Sequence, residues 1–147
     1  GSLFDKLSAL GGSMILSTLK GLENGTITRT PQGESGTSYA KMLTKEMGHI
    51  DWTKDAVSIE RLVRGLNPWP SAYTSYAGKT MKIWAAEVAD LPGDRTPGKI
   101  HVTKDRLFVE TGEGVLDVKE LQLEGKKRMD TASFLRGFQM EDGSFCE

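Results

Sequence analysis

The chain has 147 residues, of which 37% are hydrophobic and 27% charged, and its formal net charge is −1. These values are typical of one ordinary domain that buries a core, and they exclude a protein that is basic over its whole surface. Any nucleic-acid-binding surface must therefore come from a local cluster of basic residues.

The cysteine count, the length of the apolar stretches and the spacing of the histidines bear on the cellular compartment, on membrane contact and on metal binding. Cys146 is the single cysteine and cannot form an internal disulfide, which predicts a cytoplasmic protein. No stretch approaches the roughly 18 apolar residues that cross a bilayer, so we expect no membrane contact. His49 and His101 lack the spacing of metal ligands, so we expect no metal site.

Residues 1–25 predict an amphipathic helical segment. We expect Ser2 to cap a first helix, Gly11 and Gly12 to interrupt it, and Asn24-Gly25 to end a second helix. The apolar positions fall on one face and need a surface to pack on. They are Leu3, Phe4, Leu7, Leu10, Met14, Ile15, Leu19 and Leu22.

Residues 26–36, "TITRTPQGESG", are expected to form a linker, because they contain almost no apolar residues and are rich in turn formers. A helix follows, with Thr53 as its expected N-cap, Asp55 in its first turn and Gly65 at its end. The stretch "NPWP" then prevents the helix from continuing, because proline fixes φ and lacks a backbone donor. We expect Trp69, clamped between two prolines, to be buried as a core residue.

Beyond this corner the sequence predicts short antiparallel strands separated by turns every 8–12 residues. The expected strands are "SAYTSY", "TMKIWAAEVA", "KIHVTKD", "RLFVET" and "VLDVKELQL", joined by "AGK", a loop over 90–98, Lys104-Asp105 and "GEG". A basic loop, "EGKKRM", leads into a short helix from Asp130 to about Leu135, which Gly137 stops. This pattern favours a small antiparallel barrel.

No motif of a known active site is present, since the sequence lacks a P-loop, G-x-G-x-x-G, H-E-x-x-H and G-x-S-x-G. Glu110, Glu113 and Asp117 lie near a turn, and we expect them to be solvated. Basic residues are the remaining candidates for function. Each is either an ordinary surface charge or part of a groove that follows a phosphate backbone.

Several stretches together resemble one family in order and spacing. They are "IDWTKDAVSIERLVRGLNPWPSAY", "GKTMKIWAAEV", "PGKI", "VETGEGVLDVKELQLEGKKRM" and "ASFLRG". These stretches resemble the C-terminal half of the methionyl-tRNA formyltransferases, and the resemblance covers essentially the whole chain. The N-P-W-P corner followed by L-Q-x-x-G-K-K-x-M is the most specific part.

The resemblance implies an enzyme that transfers a formyl group from 10-formyltetrahydrofolate to the methionine amine of initiator tRNA. In that family an N-terminal Rossmann-like domain carries the catalytic Asn, His and Asp and an H-x-S-L-L-P segment. None of these motifs occurs here, so the resemblance implies no catalytic residue, no bound cofactor and no independent activity for this chain.

The resemblance also implies a division of the chain. Residues 1–25 correspond to the last helices of the catalytic domain, 26–46 to the linker, and 47–147 to a C-terminal domain. The implied fold is α+β, mainly β: an open Greek-key, OB-like barrel with a preceding helix and a short C-terminal helix. The implied partners are initiator methionyl-tRNA and the missing catalytic domain. Without that domain we expect the helical segment to find another apolar surface, by dimerising, by swapping or by folding back on the chain.

The implied role of the barrel is to bind tRNA and position its acceptor end. The residues expected to contact tRNA are Lys126, Lys127, Arg128, Lys41, Lys45 and Arg64. Two alternatives remain open. One is a stand-alone OB-like nucleic-acid-binding module, which the helical segment and linker disfavour. The other is the C-terminal domain of a sugar-nucleotide formyltransferase, which "NPWP" and "GKKRM" disfavour.

Overall fold

The structure is a computed structural model that describes residues 1–34, 36–37, 39–92 and 95–147. Ser35 and Ser38 of the expected linker, and Gly93 and Asp94 of the expected loop over 90–98, lie outside the described residues. By its internal contacts the chain divides into two units, Gly1–Met42 and Leu43–Glu147.

The first unit contains helix α1, Ser2–Glu23. The expected interruption at Gly11 and Gly12 is wrong, because a glycine costs a helix only about 1 kcal/mol relative to alanine and the flanking residues favour helix. The helix ends where expected: the Asn24 N–H donates to Lys20 O over 3.0 Å, and Gly25 has φ +66°. Its large apolar side chains are all exposed: Leu3, Phe4, Leu7, Leu10, Met14, Ile15, Leu16, Leu19 and Leu22.

The second unit begins with a 3-10 helix, Lys45–Gly48, and helix α2, Ala56–Gly65. Asp55, and not Thr53, is the N-cap of α2, since its Oδ1 accepts from the Ser58 N–H over 2.8 Å. Thr53 instead donates its hydroxyl to Asp51 Oδ1 over 2.6 Å. Asp55 lies three residues before Ser58, at the spacing of an N-cap, and aspartate is preferred to threonine at that position.

The proline corner after α2 leaves Trp69 57% exposed, so the expectation of a core residue is wrong. The buried residues of the corner are Leu66 and Pro70. The Ser71 N–H donates to Leu66 O over 3.0 Å, and Asn67 Nδ2 donates to Trp84 O over 2.8 Å. These bonds hold the corner through its backbone and Asn67, while the indole of Trp69 faces solvent.

The described residues form one antiparallel sheet of six strands. Their bounds are β1 Ala72–Tyr76, β2 Lys79–Ala89, β3 Ile100–Val102, β4 Leu107–Glu110, β5 Val115–Leu123 and β6 Met129–Asp130. The order is β1-β2-β5-β4-β3, and β6 pairs with β5. Strands β3, β4 and β5 follow one another, and β2 lies beside β5, which is a Greek-key arrangement. The expected open Greek-key sheet is confirmed, with β6 as an additional short strand.

The two edges of the sheet, β1 and β3, are bridged by residues 144–147. The Ser75 N–H donates to Glu147 O over 2.8 Å, and the Glu147 N–H donates back to Ser75 O over 2.9 Å. On the other side, the Ile100 N–H donates to Ser144 O over 2.8 Å. This segment therefore satisfies backbone groups on both edges of the open sheet.

The core lies inside the curled sheet, with α2 and helix α3, Thr131–Gly137, packed against it. Asp130 caps α3 by accepting from the Ser133 N–H over 2.8 Å, close to the expected start. Trp52 is the buried tryptophan, and its Nε1 donates to Thr74 Oγ1 over 3.0 Å. The largest fully buried side chains are Phe134, Ile50, Ile59, Met81, Ile83, Ile100, Leu107, Leu116, Leu121 and Leu123.

Candidate nucleic-acid interface

The basic loop, Lys126, Lys127 and Arg128, lies at the turn between β5 and β6. The Lys126 N–H donates to Leu123 O over 2.9 Å, and Met129 pairs with Leu121 across the sheet. All three basic side chains are exposed. Because a hairpin turn constrains the loop at both ends, the three basic residues stay close together at the end of β5.

Arg128 is held by an acid and an aromatic ring. Its Nε donates to Glu120 Oε1 over 2.7 Å, and its Nη2 donates to Glu120 Oε2 over 2.6 Å. Its Cζ lies 4.5 Å from the centre of the Trp84 ring, and Lys82 Nζ lies 5.6 Å from the same ring. The hydrogen bonds from Arg128 lower the pKa of the Glu120 carboxyl, and those same bonds raise the pKa of Arg128.

Lys126 lies beside the ring of Phe138, the residue that follows α3. Its Nζ is 5.3 Å from the centre of the Phe138 ring, which packs 5.1 Å from the ring of Phe134. A surface pocket of about 200 Å³ separates the loop from the helix. Its lining residues are Lys126, Lys127, Met129, Ser133, Phe134, Gly137 and Phe138.

The other expected contact residues lie on separate elements. Arg64 is on α2, where its Nε donates to Glu60 Oε1 over 2.9 Å, and this bond raises the pKa of Arg64. Lys45 is the first residue of the 3-10 helix and is exposed. Lys41 is exposed in the first unit. The second unit therefore presents Lys126, Lys127 and Arg128 as one cluster, with Lys45 and Arg64 on the segment before β1.

Trp84 and Glu120 belong to this surface although the sequence did not single them out. Trp84 follows the buried Ile83 on β2, so the alternation of a strand points it outward. Glu120 lies on β5, where it faces Asp130 of β6. The alternation of inward and outward side chains along β2 could have predicted the outward position of Trp84. The proximity of Glu120 to Arg128 could not be predicted in this way, because it depends on the pairing of β5 with β6.

Two acidic residues that we expected to be solvated are buried. Asp117 is 2% exposed and accepts from Arg106 and Lys119, while Glu110 is 2% exposed and lies 2.9 Å from His101 Nε2. The expectation that these two carboxylates are solvated is wrong, because neighbouring side chains cover them on the outer face of β4 and β5. Glu113, on the turn itself, is exposed as expected.

Next to Glu110 is a pocket of about 260 Å³, lined by Leu91, Pro92, His101, Phe108, Glu110 and Val115. Glu110 Oε2 is buried, and the described residues give it no hydrogen-bond partner. Within the described ranges there is also no group of three His, Cys, Asp or Glu side chains that could hold a metal ion. In the same ranges, no helix is long and apolar enough to span a membrane.

Comparison with known proteins shows which family the chain belongs to. The formyl transferase C-terminal domain family matches residues 42–139. A methionyl-tRNA formyltransferase of Agathobacter rectalis is 56% identical over 146 residues, which are 99% of this chain and 47% of that protein. The methionyl-tRNA formyltransferase of Geobacter sulfurreducens is 46% identical over 97% of this chain and 45% of its own length.

A solved structure shows a similar fold. A variant of HypX from Aquifex aeolicus aligns with a TM-score of 0.58 and 21% identity, over 87% of this chain and 24% of that chain. The chain spans about half the length of the methionyl-tRNA formyltransferases that it matches, and two of them match 99% and 97% of it. The chain belongs to the family of formyl transferase C-terminal domains.

Proposed function

We propose that this chain is the C-terminal half of a methionyl-tRNA formyltransferase and that its barrel binds and positions initiator methionyl-tRNA. The observation that carries the proposal is the 56% identity over 99% of the chain to a protein of that name. The parent enzyme would transfer a formyl group from 10-formyltetrahydrofolate to the methionyl amine. Neither catalytic residues nor the folate site would come from the present chain.

The basic loop supplies the chemistry that tRNA binding needs. Lys126 and Lys127 lie close together at the end of β5, and the described residues give neither of them an acidic partner. Ammonium groups without such a partner attract phosphates and release counterions when they bind them. Duplex RNA hides its base edges in a deep groove, so contacts to phosphate and ribose should predominate.

The division of the chain fits a positioning role. Residues 1–25 would complete the catalytic domain, 26–46 would link it to the barrel, and 47–147 would hold the tRNA. A correctly held acceptor end makes the attack of the amine effectively intramolecular, which lowers the entropic part of the barrier. The partner of the apolar face of α1 would then be the catalytic domain.

The test is a titration of the chain with initiator tRNA at several salt concentrations, for the wild type and for Lys126→Ala/Lys127→Ala. Each phosphate contact that is lost should reduce the slope of log K against log salt by about 0.7–0.9. We therefore expect weaker binding and a shallower slope for the double variant.

The matched control is Lys54→Ala/Lys104→Ala, which removes two exposed lysines from other loops and changes the net charge equally. It should keep the slope of the wild type. Equal slopes for both double variants would reject the basic loop as the phosphate-binding surface, and a wild type that does not bind tRNA would reject the proposed function.

A further inference from the structure

Arg128 differs electrostatically from the two lysines beside it. Two of its five N–H donors bind the two oxygens of Glu120, over 2.7 and 2.6 Å, in a fork-to-fork geometry. The side chains are 43% and 31% exposed, so the pair is ordered yet reaches solvent. At close range the charge of Arg128 is balanced by Glu120, and a phosphate would meet both an attraction and a repulsion.

The orientation of Arg128 is fixed from a second side. Its guanidinium carbon lies 4.5 Å from the centre of the Trp84 ring, a distance typical of a guanidinium on an aromatic face. The backbone of Trp84 is held at the proline corner, because Asn67 Nδ2 donates to its carbonyl oxygen over 2.8 Å. The plane of the guanidinium is therefore set before any ligand arrives, which reduces the entropy lost on binding.

Three N–H donors of Arg128 remain after Glu120 is satisfied, and the described residues provide no acceptor for them. These donors have fixed directions, and the carboxylate of Glu120 balances the charge of the guanidinium that carries them. Such a group suits a neutral acceptor, since a hydrogen bond to a hydroxyl or carbonyl oxygen does not require an excess positive charge.

We propose that Arg128 donates to a neutral acceptor on the tRNA, the ribose 2′-hydroxyl, while Lys126 and Lys127 bind the phosphates. The inference rests on the proposed function and deepens it. A-form RNA displays its 2′-hydroxyls on a wide, shallow groove that side chains can reach. Arg128 is then a specificity-determining residue, and Glu120 is the positioning residue that cancels its charge.

The experiment compares salt slopes of tRNA binding for wild type, Arg128→Ala/Glu120→Gln, Lys126→Ala and Glu120→Gln, with Lys104→Ala as the control for net charge. Lys126→Ala should reduce the slope by about 0.7–0.9. Arg128→Ala/Glu120→Gln removes both charges of the pair, so it should weaken binding by about three- to tenfold at every salt concentration, with the slope unchanged. Glu120→Gln should steepen the slope by about 0.7–0.9, because it releases the charge of Arg128.

A slope that falls in Arg128→Ala/Glu120→Gln as much as in Lys126→Ala would overturn the proposal, as would a double variant that binds like the wild type. A Glu120→Gln variant with an unchanged slope would also count against it. Thermal denaturation of each variant checks the fold, and Arg128→Lys, which keeps the charge but loses the fork, should bind no better than the double variant.

A second arm identifies the acceptor. The binding of an RNA hairpin with the sequence of the tRNA acceptor stem is compared with that of the matching DNA hairpin, which lacks the 2′-hydroxyl. The loss caused by Arg128→Ala/Glu120→Gln should be present on RNA and absent on DNA. A loss that persists on DNA would point to a base edge and overturn the ribose assignment. If the wild type binds neither tRNA nor hairpin, the proposed function fails as well.

Discussion

Cys146 and Asp117 are ionisable side chains that the barrel buries, and they are accommodated in opposite ways. Asp117 is surrounded by cations, since it accepts from Arg106 and from Lys119 Nζ over 2.7 Å. The hydrogen bond to Asp117 raises the pKa of Lys119. Cys146 has only the core around it, and burial raises the pKa of its thiol from 9.0 to about 12. A neutral thiol is tolerated in the core because it behaves as a small apolar group.

The thiol of Cys146 should be unreactive in the folded protein. The folded pKa lies above the unfolded one, so its contribution to stability is complete below pH 9 and declines as the pH rises towards 12. Alkylation by iodoacetamide at pH 8 should follow global unfolding. Urea denaturation at pH 8 and pH 10 should show a larger loss of stability in the wild type than in Cys146→Ala. Rapid labelling of folded protein would contradict the burial of the thiol.

At the scale of elements, the turn between β4 and β5 holds the segment that precedes α2. The Gly112 N–H donates to the carbonyl oxygens of Trp52 and Lys54, each over 2.9 Å, and the Ala56 N–H donates to Glu113 O over 2.9 Å. A Cβ on Gly112 would lie 1.8 Å from Thr53 O, so only glycine allows this approach. The turn therefore fixes where α2 starts and, through α2, where the proline corner meets β2.

Gly112→Ala should destabilise the barrel strongly, by about 2–4 kcal/mol, because a backbone clash must be relieved at the expense of two hydrogen bonds. The free energy of unfolding from urea titration measures the effect. Gly12→Ala is the matched control, since a Cβ there meets nothing within 4 Å. That change should stabilise α1 by up to about 1 kcal/mol. A Gly112→Ala variant as stable as the wild type would contradict the close approach.

At the scale of the whole molecule, the apolar face of α1 is exposed and has no apolar surface packed against it among the described residues. Leu3 is 67% exposed and Phe4 is 75% exposed, and the other large apolar side chains of the helix are similarly exposed. Burying each such side chain contributes about 1.5–3 kcal/mol, which is a strong drive for association. If the proposed function is correct, the catalytic domain of the parent enzyme would cover this face.

In isolation we expect the chain to self-associate through α1. Leu7→Glu/Ile15→Glu should convert associated protein to monomer in sedimentation velocity, because it places two charges on the apolar face. Ala9→Glu/Ser13→Glu adds the same charge on the polar face and should leave association unchanged. A wild-type monomer in which proteases rapidly remove α1 would contradict the expectation.

Much of the architecture could be predicted from local pattern. The strands β1, β2 and β5 begin and end within one residue of the expected positions, since apolar and β-branched residues alternate along them. The expected turn at Lys104-Asp105 also forms, where the Thr103 N–H donates to Arg106 O over 2.9 Å. Alternation distinguishes the two faces of a strand, but it does not say whether another segment covers the outer face. For that reason the burial of Glu110 was missed.

By itself, the sequence determined the family, the succession of helices and strands, and the presence of three adjacent basic residues after β5. These properties depend on residues close together in the chain, whose spacing sets local hydrogen bonds and faces. Only the tertiary structure decided that Trp69 is exposed, that Trp84 lies under Arg128, and that Glu120 balances its charge. Such contacts join residues on different strands, and they form only when the pairing of β2, β5 and β6 places those strands side by side.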